Sequence, residues 1–169
     1  MLQYLSYNIV FQEVPGEVTL AINLSNCPNR CKGCHSPFLQ ENIGDVLDEA
    51  VINALLIKYG EAITCICFMG GDADPQMIEQ LCSYIKSYTN GQVKTAWYSG
   101  KQTLPDGFDI RELNYLKLGP YVESLGGLDS PDTNQRFYVI VRGELMDQSV
   151  FFQKKKGFPS GILLQDSCN

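Results

Sequence analysis

The chain has one histidine, His35, and too few basic residues to offset its acids. Its 169 residues include 13 Lys and Arg against 19 Asp and Glu, a formal net charge of −6. Phosphate recognition needs a basic face, so nucleic acid is not the expected partner. The one short basic run, at positions 154–156, reads as part of a solvated tail. No apolar stretch approaches the length of a membrane span, and positions 1–10 lack the basic flank and long apolar run of an export signal. The expectation is therefore a cytoplasmic protein with no membrane partner. Internal repeats, low-complexity segments and dividing linkers are also missing. That leaves a single domain over residues 1–153, with 154–169 as a C-terminal tail.

Cysteine, by contrast, is plentiful. In a reducing compartment seven cysteines are not a disulfide framework, and an odd number cannot all pair within one chain. Three of them, Cys27, Cys31 and Cys34, stand at C-x3-C-x2-C spacing in the segment NLSNCPNRCKGCHSPF. Thiolate is a soft anionic ligand suited to iron–sulfur centres. A loop this short can wrap three thiolates around one small cluster. Four irons and three cysteines leave one iron without a protein ligand, and an open coordination position marks a reactive centre. Pro28 and Gly33 suit the tight turns such a loop needs. Cys65, Cys67 and Cys82 read differently. They fall on an expected buried strand and beside the apolar stripe of an expected helix, where cysteine packs as a small hydrophobe. Cys168 falls in the tail.

The hydrophobic periodicities alternate between strand and helix. Residues 18–25 (VTLAINLS) read as a strand leading directly into the cysteine loop. A helix is expected over 46–58, with Gly44 and Asp45 as its start signal. Residues 63–69 (ITCICFM) read as a buried strand. Asp74-Pro75 then supplies an N-cap and a first-turn proline for a helix with Met77, Ile78, Leu81 and Ile85 on its apolar stripe. Strands are expected over 93–98, 115–118 and 137–141, with short helices over 110–114 and 145–153. Strand–helix alternation implies parallel strands with crossover helices, an α/β fold whose chemistry lies at the C-terminal ends of the strands. The alternation alone does not separate an open sheet from a partial barrel.

Two other readings compete for the cysteine loop. Cys31-Lys-Gly-Cys34-His35 is a literal C-x-x-C-H, the signature of covalent c-type haem attachment, though it leaves Cys27 unexplained. A structural zinc site needs a fourth ligand. His35 adjoins Cys34, awkward for closing a tetrahedron, so Cys65, Cys67 or Cys82 would have to complete it from afar.

The cysteine loop after the first main strand resembles that of the radical S-adenosylmethionine superfamily. More narrowly, the chain is similar to the activating enzymes of anaerobic ribonucleotide reductase in its short length, in CPNRCKGCH, in FMGGD at 68–72, in WYSG at 97–100 and in TNQRFY at 133–138. The likeness runs from about residue 4 to 150. Gly33 before the third cysteine suits that subgroup, whereas most superfamily members have an aromatic residue there. EVPGE at 13–17 echoes part of an acidic, glycine-rich segment that many such activators carry.

The resemblance implies that residues 1–153 form a partial parallel (β/α) barrel and that Cys27, Cys31 and Cys34 hold a [4Fe–4S] cluster. It implies S-adenosylmethionine as the second cofactor, reductively cleaved to methionine and a 5′-deoxyadenosyl radical. The implied partners are the large glycyl-radical subunit of anaerobic ribonucleotide reductase and an external one-electron donor such as a flavodoxin or ferredoxin. Activation of another glycyl-radical enzyme, such as pyruvate formate-lyase, is the alternative within the same chemistry. A non-catalytic zinc-binding interaction module is the alternative outside it. The Gly70-Gly71-Asp72 motif is assigned to the cofactor's amino group, against the plainer reading of a strand-to-helix turn in which Asp72 or Asp74 caps the helix. Tyr98 and Ser99 are candidates for its ribose or adenine, and Arg136 for its carboxylate or for the partner. Lys117 and Gly119 are expected to line the same mouth. Gly126-Gly127 is expected to form a mobile loop that helps admit the partner's glycine. No acid–base pair is needed, because the hard chemistry belongs to the cofactors.

Overall fold

The computed structural model describes residues 1–153. The expected tail at 154–169, with its basic run and Cys168, lies outside the described residues.

Eight strands form one open, mixed sheet: β1 (Leu2–Val10), β2 (Thr19–Leu24), β3 (Asp45–Leu47), β4 (Cys65–Met69), β5 (Lys94–Tyr98), β6 (Tyr115–Leu118), β7 (Arg136–Val141) and β8 (Glu144–Asp147), in the order β3-β1-β2-β4-β5-β6-β7-β8. The four central neighbours β2, β4, β5 and β6 are parallel. The strands flanking them pair antiparallel on both sides. The expectation of an all-parallel sheet thus holds for the centre and fails at the edges. Two helices, α1 (Glu49–Tyr59) and α2 (Pro75–Tyr88), make crossovers. The third crossover, from β5 to β6, has only a 3-10 turn at Ile110–Glu112, shorter than the expected helix.

The parallel strands are buried on both faces, as crossover connections require. On the helix side Leu20, Ile22, Ile66 and Phe68 join Ile52, Leu55, Ile78, Leu81 and Ile85 in one continuous core. On the other side Cys65 and Cys67 pack with Val14, Ala96 and Phe137. Phe68 is fully buried, so Phe68→Ala removes about 3–5 kcal/mol of packing.

Three local readings are corrected. Residues 45–47 do not begin a helix. They pair with β1 (Leu2 opposite Leu47), and α1 starts after Asp48, whose carboxylate accepts from the Val51 amide at 3.0 Å. Gly44 is the turn before that strand, with φ +96° and no room for a Cβ against the Tyr4 carbonyl. Residues 145–153 are not a helix. Arg142 and Gly143 both have positive φ (54° and 79°), as the two-residue turn of a tight hairpin requires, so the chain folds back as β8 before a 3-10 turn at Ser149–Phe151. Strand β1 was not expected. A register irregularity between Tyr4 and Ser6 breaks the alternation that would have revealed it.

Candidate functional site

The C-terminal ends of the parallel strands carry the turns and loops singled out above. The cysteine loop leaves β2 at Ser25, which is buried, with its amide on the Gln3 carbonyl at 3.0 Å and its hydroxyl on the Ile43 carbonyl. The loop is built from unusual backbone: Asn26, Arg30 and Gly33 all have positive φ (57°, 46° and 73°). Its returning limb closes on it through Asn26 N–H to Glu41 O (2.8 Å) and Cys27 N–H to Leu39 O (3.0 Å). Gly33 lies against Glu123, and a Cβ there would come within 3.1 Å of the Glu123 carboxyl carbon. His35 packs its ring 4.8 Å from that of Tyr121. The loop therefore rests on the segment that follows β6.

Cys27, Cys31 and Cys34 are unpaired thiols, each partly exposed. Among the described residues, no three His, Cys, Asp or Glu side chains converge into a group that could hold a metal ion. The trio shares one loop and one end of the sheet without being drawn together as a closed ligand set. Cys65, Cys67 and Cys82 are fully buried, and burial pushes all three thiols well up. They are inert packing cysteines, as their positions suggested, and poor fourth ligands.

Asp72 is the hub. It is only 8% exposed and accepts from Ser99 Oγ (2.5 Å), the Gly100 amide (2.8 Å) and Asn29 Nδ2 (2.5 Å). Asp74, not Asp72, caps α2, accepting from the Met77 amide at 3.2 Å. The helix-capping role that the sequence left open between the two acids thus falls to Asp74. Gly70 and Gly71 both have positive φ (101° and 92°), so the turn itself demands glycine. A Cβ on Gly71 would also come within 2.7 Å of Ile78 and 2.8 Å of Leu24. Gly70 donates to Tyr98 O (3.0 Å) and accepts from Trp97 Nε1 (2.7 Å). Both backbone groups of Gly70 are thus engaged within the protein, and the Gly71 carbonyl accepts from the Asp74 amide at 3.0 Å.

Ser99 joins the hub, but Tyr98 points elsewhere: its hydroxyl donates to the Glu13 carbonyl, and burial holds its ionisation well above the ordinary value. Lys117 follows on β6. Its ammonium donates to Gly119 O at 2.7 Å. Burial lowers its pKa to about 8 against the opposing pull of the Asp72 and Cys31 charges. Arg136 is held away from the hub by the Thr133 and Gln135 carbonyls (2.7 and 2.8 Å) and by Asp147 at 3.7 Å. Asn134 and Gln135 brace the turn after β6 through Pro120 O (2.9 Å) and Gly119 O (3.4 Å). Gly126 sits in a compact turn, bridged to Val122, with φ +76°.

Asn29 was not singled out from sequence. An asparagine among turn residues carries no sign of neighbours 43 and 71 positions away, Asp72 and Gly100. A cleft of about 680 Å³ lies between the start of α2 and residues 105–108, but it includes neither the cysteines nor Asp72. No helix among the described residues is long and apolar enough to cross a membrane.

Comparison with protein-family models, with curated proteins and with solved structures finds no match to this chain.

Proposed function

We propose that this chain is an oxidoreductase of the radical S-adenosylmethionine class. It activates a glycyl-radical enzyme, the large subunit of anaerobic ribonucleotide reductase, using an electron from a flavodoxin- or ferredoxin-like donor. The observation that carries the proposal is the position of three partly exposed thiols of one loop at the C-terminal end of β2, beside the buried Asp72 that ends the neighbouring strand turn. The resemblance of the cysteine loop and the Gly-Gly-Asp turn supplies the reaction class. Four adjacent parallel strands are compatible with the central part of a partial (β/α) barrel, the finer architecture that belongs to this proposal.

The donor set suits an iron–sulfur cluster: three soft sulfur donors on one loop, with Cys65, Cys67 and Cys82 sealed in the core. Cys27, Cys31 and Cys34 would hold it. Held there, the cluster would supply the single electron for reductive cleavage of S-adenosylmethionine, the chemistry from which glycyl-radical formation on the partner would follow. The chain's own residues bind and orient. Asp72, a buried carboxylate hydrogen-bonded to neutral donors, suits the cofactor's amino group, since a charged donor makes the stronger bond. Gly70 and Gly71 hold the turn that presents it. Ser99 orients Asp72, Lys117 adds positive charge at the same end of the sheet, and Tyr98 closes the far face. Arg136, engaged with Asp147, fits a contact to the partner better than one to the cofactor.

The test is anaerobic purification with iron and sulfide analysis, then dithionite reduction with S-adenosylmethionine and an assay for 5′-deoxyadenosine. Product that disappears in Cys27→Ala, Cys31→Ala and Cys34→Ala is expected. Zinc without sulfide, and no product after reconstitution with iron and sulfide, would overturn the proposal in favour of a structural zinc module.

A further inference from the structure

We infer that Asn29 is a positioning residue that clasps the cysteine loop to the turn after β4, against the end of β5, setting where Cys27 stands relative to Asp72. The inference rests on the proposed function only for its purpose, because the clasp itself is geometric. The Asn29 amide nitrogen has two hydrogens. One is donated to Asp72 Oδ2 at 2.5 Å, and the Cys27 sulfur lies 3.7 Å from the same nitrogen as a second acceptor. Both acceptors are groups that bear negative charge when ionised, and a neutral amide between them separates the carboxylate from the sulfur. Asp72 is in turn fixed by Ser99 Oγ and the Gly100 amide.

Gly100 completes the seat. Its backbone has no positive φ, so no conformational demand calls for glycine there. A Cβ at Gly100, however, would run into Nδ2 of Asn29 and lie 3.4 Å from Asp72 Oδ2. The glycine is required by the side chain of Asn29, from a loop 71 residues earlier. Three separated segments, the cysteine loop, the turn after β4 and the end of β5, thus meet on one amide. Inside the loop few other bonds hold the first cysteine: its amide on Leu39 O, and Asn26 on Glu41 O.

The experiment is hydrogen–deuterium exchange on the full-length, reduced, metal-free protein, followed by iron and sulfide reconstitution of the same samples. In Asn29→Ala, Asn29→Asp and Gly100→Ala the amides of Asn26, Cys27 and Cys34 should exchange about 10-fold faster or more, the scale of a lost bond to a charged group. Those of Ile66, Cys67 and Phe68 should not change. Asn29→Asp keeps the shape and removes the donor, so an equal effect shows that the hydrogen bond matters rather than the bulk. The Asn29→Ala/Asp72→Ala double variant should exchange no faster than Asn29→Ala, since both break one clasp. Iron bound per chain should fall in the Asn29 variants. Unchanged loop exchange in Asn29→Ala, additive effects in the double variant, or faster exchange with iron uptake equal to the parent would each overturn the inference. A parent protein that takes up no iron while its loop responds as described would overturn the proposed function and leave the clasp standing.

Discussion

The two ends of the parallel strands each bury one carboxylate to the same extent, 8% exposed, and treat it in opposite ways. At the N-terminal end Glu17 is met by an ammonium. It accepts from Lys94 Nζ at 2.6 Å, from Thr64 Oγ1 at 2.6 Å and from the Tyr115 hydroxyl. Burial alone would raise its pKa, but the bonds from Lys94, Thr64 and Tyr115 outweigh burial and lower it. At the C-terminal end Asp72 accepts from an amide nitrogen, a hydroxyl and a backbone N–H. The lysine at that end, Lys117, spends its hydrogen bond on Gly119 O instead. One end is a closed, charge-neutralised plug. The other holds a carboxylate and a half-buried ammonium with no ion pair between them, beside a loop of partly exposed thiols. A closed network serves the fold, whereas separated charges retain the capacity to meet a ligand that carries both signs.

Substitutions at the two ends should therefore diverge. The largest expected effect is at the open end: Asp72→Asn should lower 5′-deoxyadenosine production by roughly 10- to 100-fold, the worth of a bond to a charged group. Its thermal midpoint should shift by only a few degrees. Equal activity in that variant would remove the functional side of the comparison. At the closed end Glu17→Gln should cost about 2 kcal/mol in a denaturant melt at neutral pH, with product formation per folded molecule unchanged. Because the folded Glu17 pKa is lowered, its stabilisation is fully present above the ordinary value of 4.5 and fades as pH falls through the lowered one. The difference between parent and Glu17→Gln should shrink below pH 4.5; a gap that persists in acid would show that the carboxylate's charge is not what matters.

Lys117→Met should stabilise the chain by about 1–2 kcal/mol at pH 7, because it removes a half-buried ammonium. The folded pKa of about 8 lies below the ordinary 10.5, so the penalty is full below pH 8 and disappears as pH rises to 10.5. Chemical denaturation at pH 7 and pH 10 checks this: the gain should be smaller at pH 10, and a destabilised variant at pH 7 would show that Lys117 is well paired. The smallest effect is expected for Lys94→Met. Its side chain is 44% exposed, and solvent screening should limit the loss to about 1 kcal/mol.

Much of the local structure was legible. Asp74-Pro75 marked the start of α2, the apolar run ending at Met69 marked β4, and Ser99-Gly100 closed β5, because caps, prolines and short buried runs act within a few residues. Strand β1 was hidden by its irregular register, and the β7–β8 hairpin by a turn, Arg142-Gly143, whose first residue gives no strong turn signal. In the candidate site, the cysteine trio stood out by spacing, and the Gly-Gly-Asp turn through the resemblance. Tyr98 and Arg136 entered as candidates through the resemblance, yet their polar atoms are engaged with Glu13 and with Thr133, Gln135 and Asp147.

What the sequence determined by itself is therefore whatever short-range chemistry decides: an α/β alternation, three thiols within one loop, glycines where the turn after β4 needs positive φ, and buried cysteines on an apolar strand. Only the tertiary structure decided that the sheet is mixed and open, and that Asp72 rather than Asp74 faces the cysteine loop. It also decided that Asn29 and Gly100 fit together and that Glu17 closes the opposite end. Those outcomes depend on partners 27 to 98 residues apart, brought together by strand order and register, which no local pattern encodes.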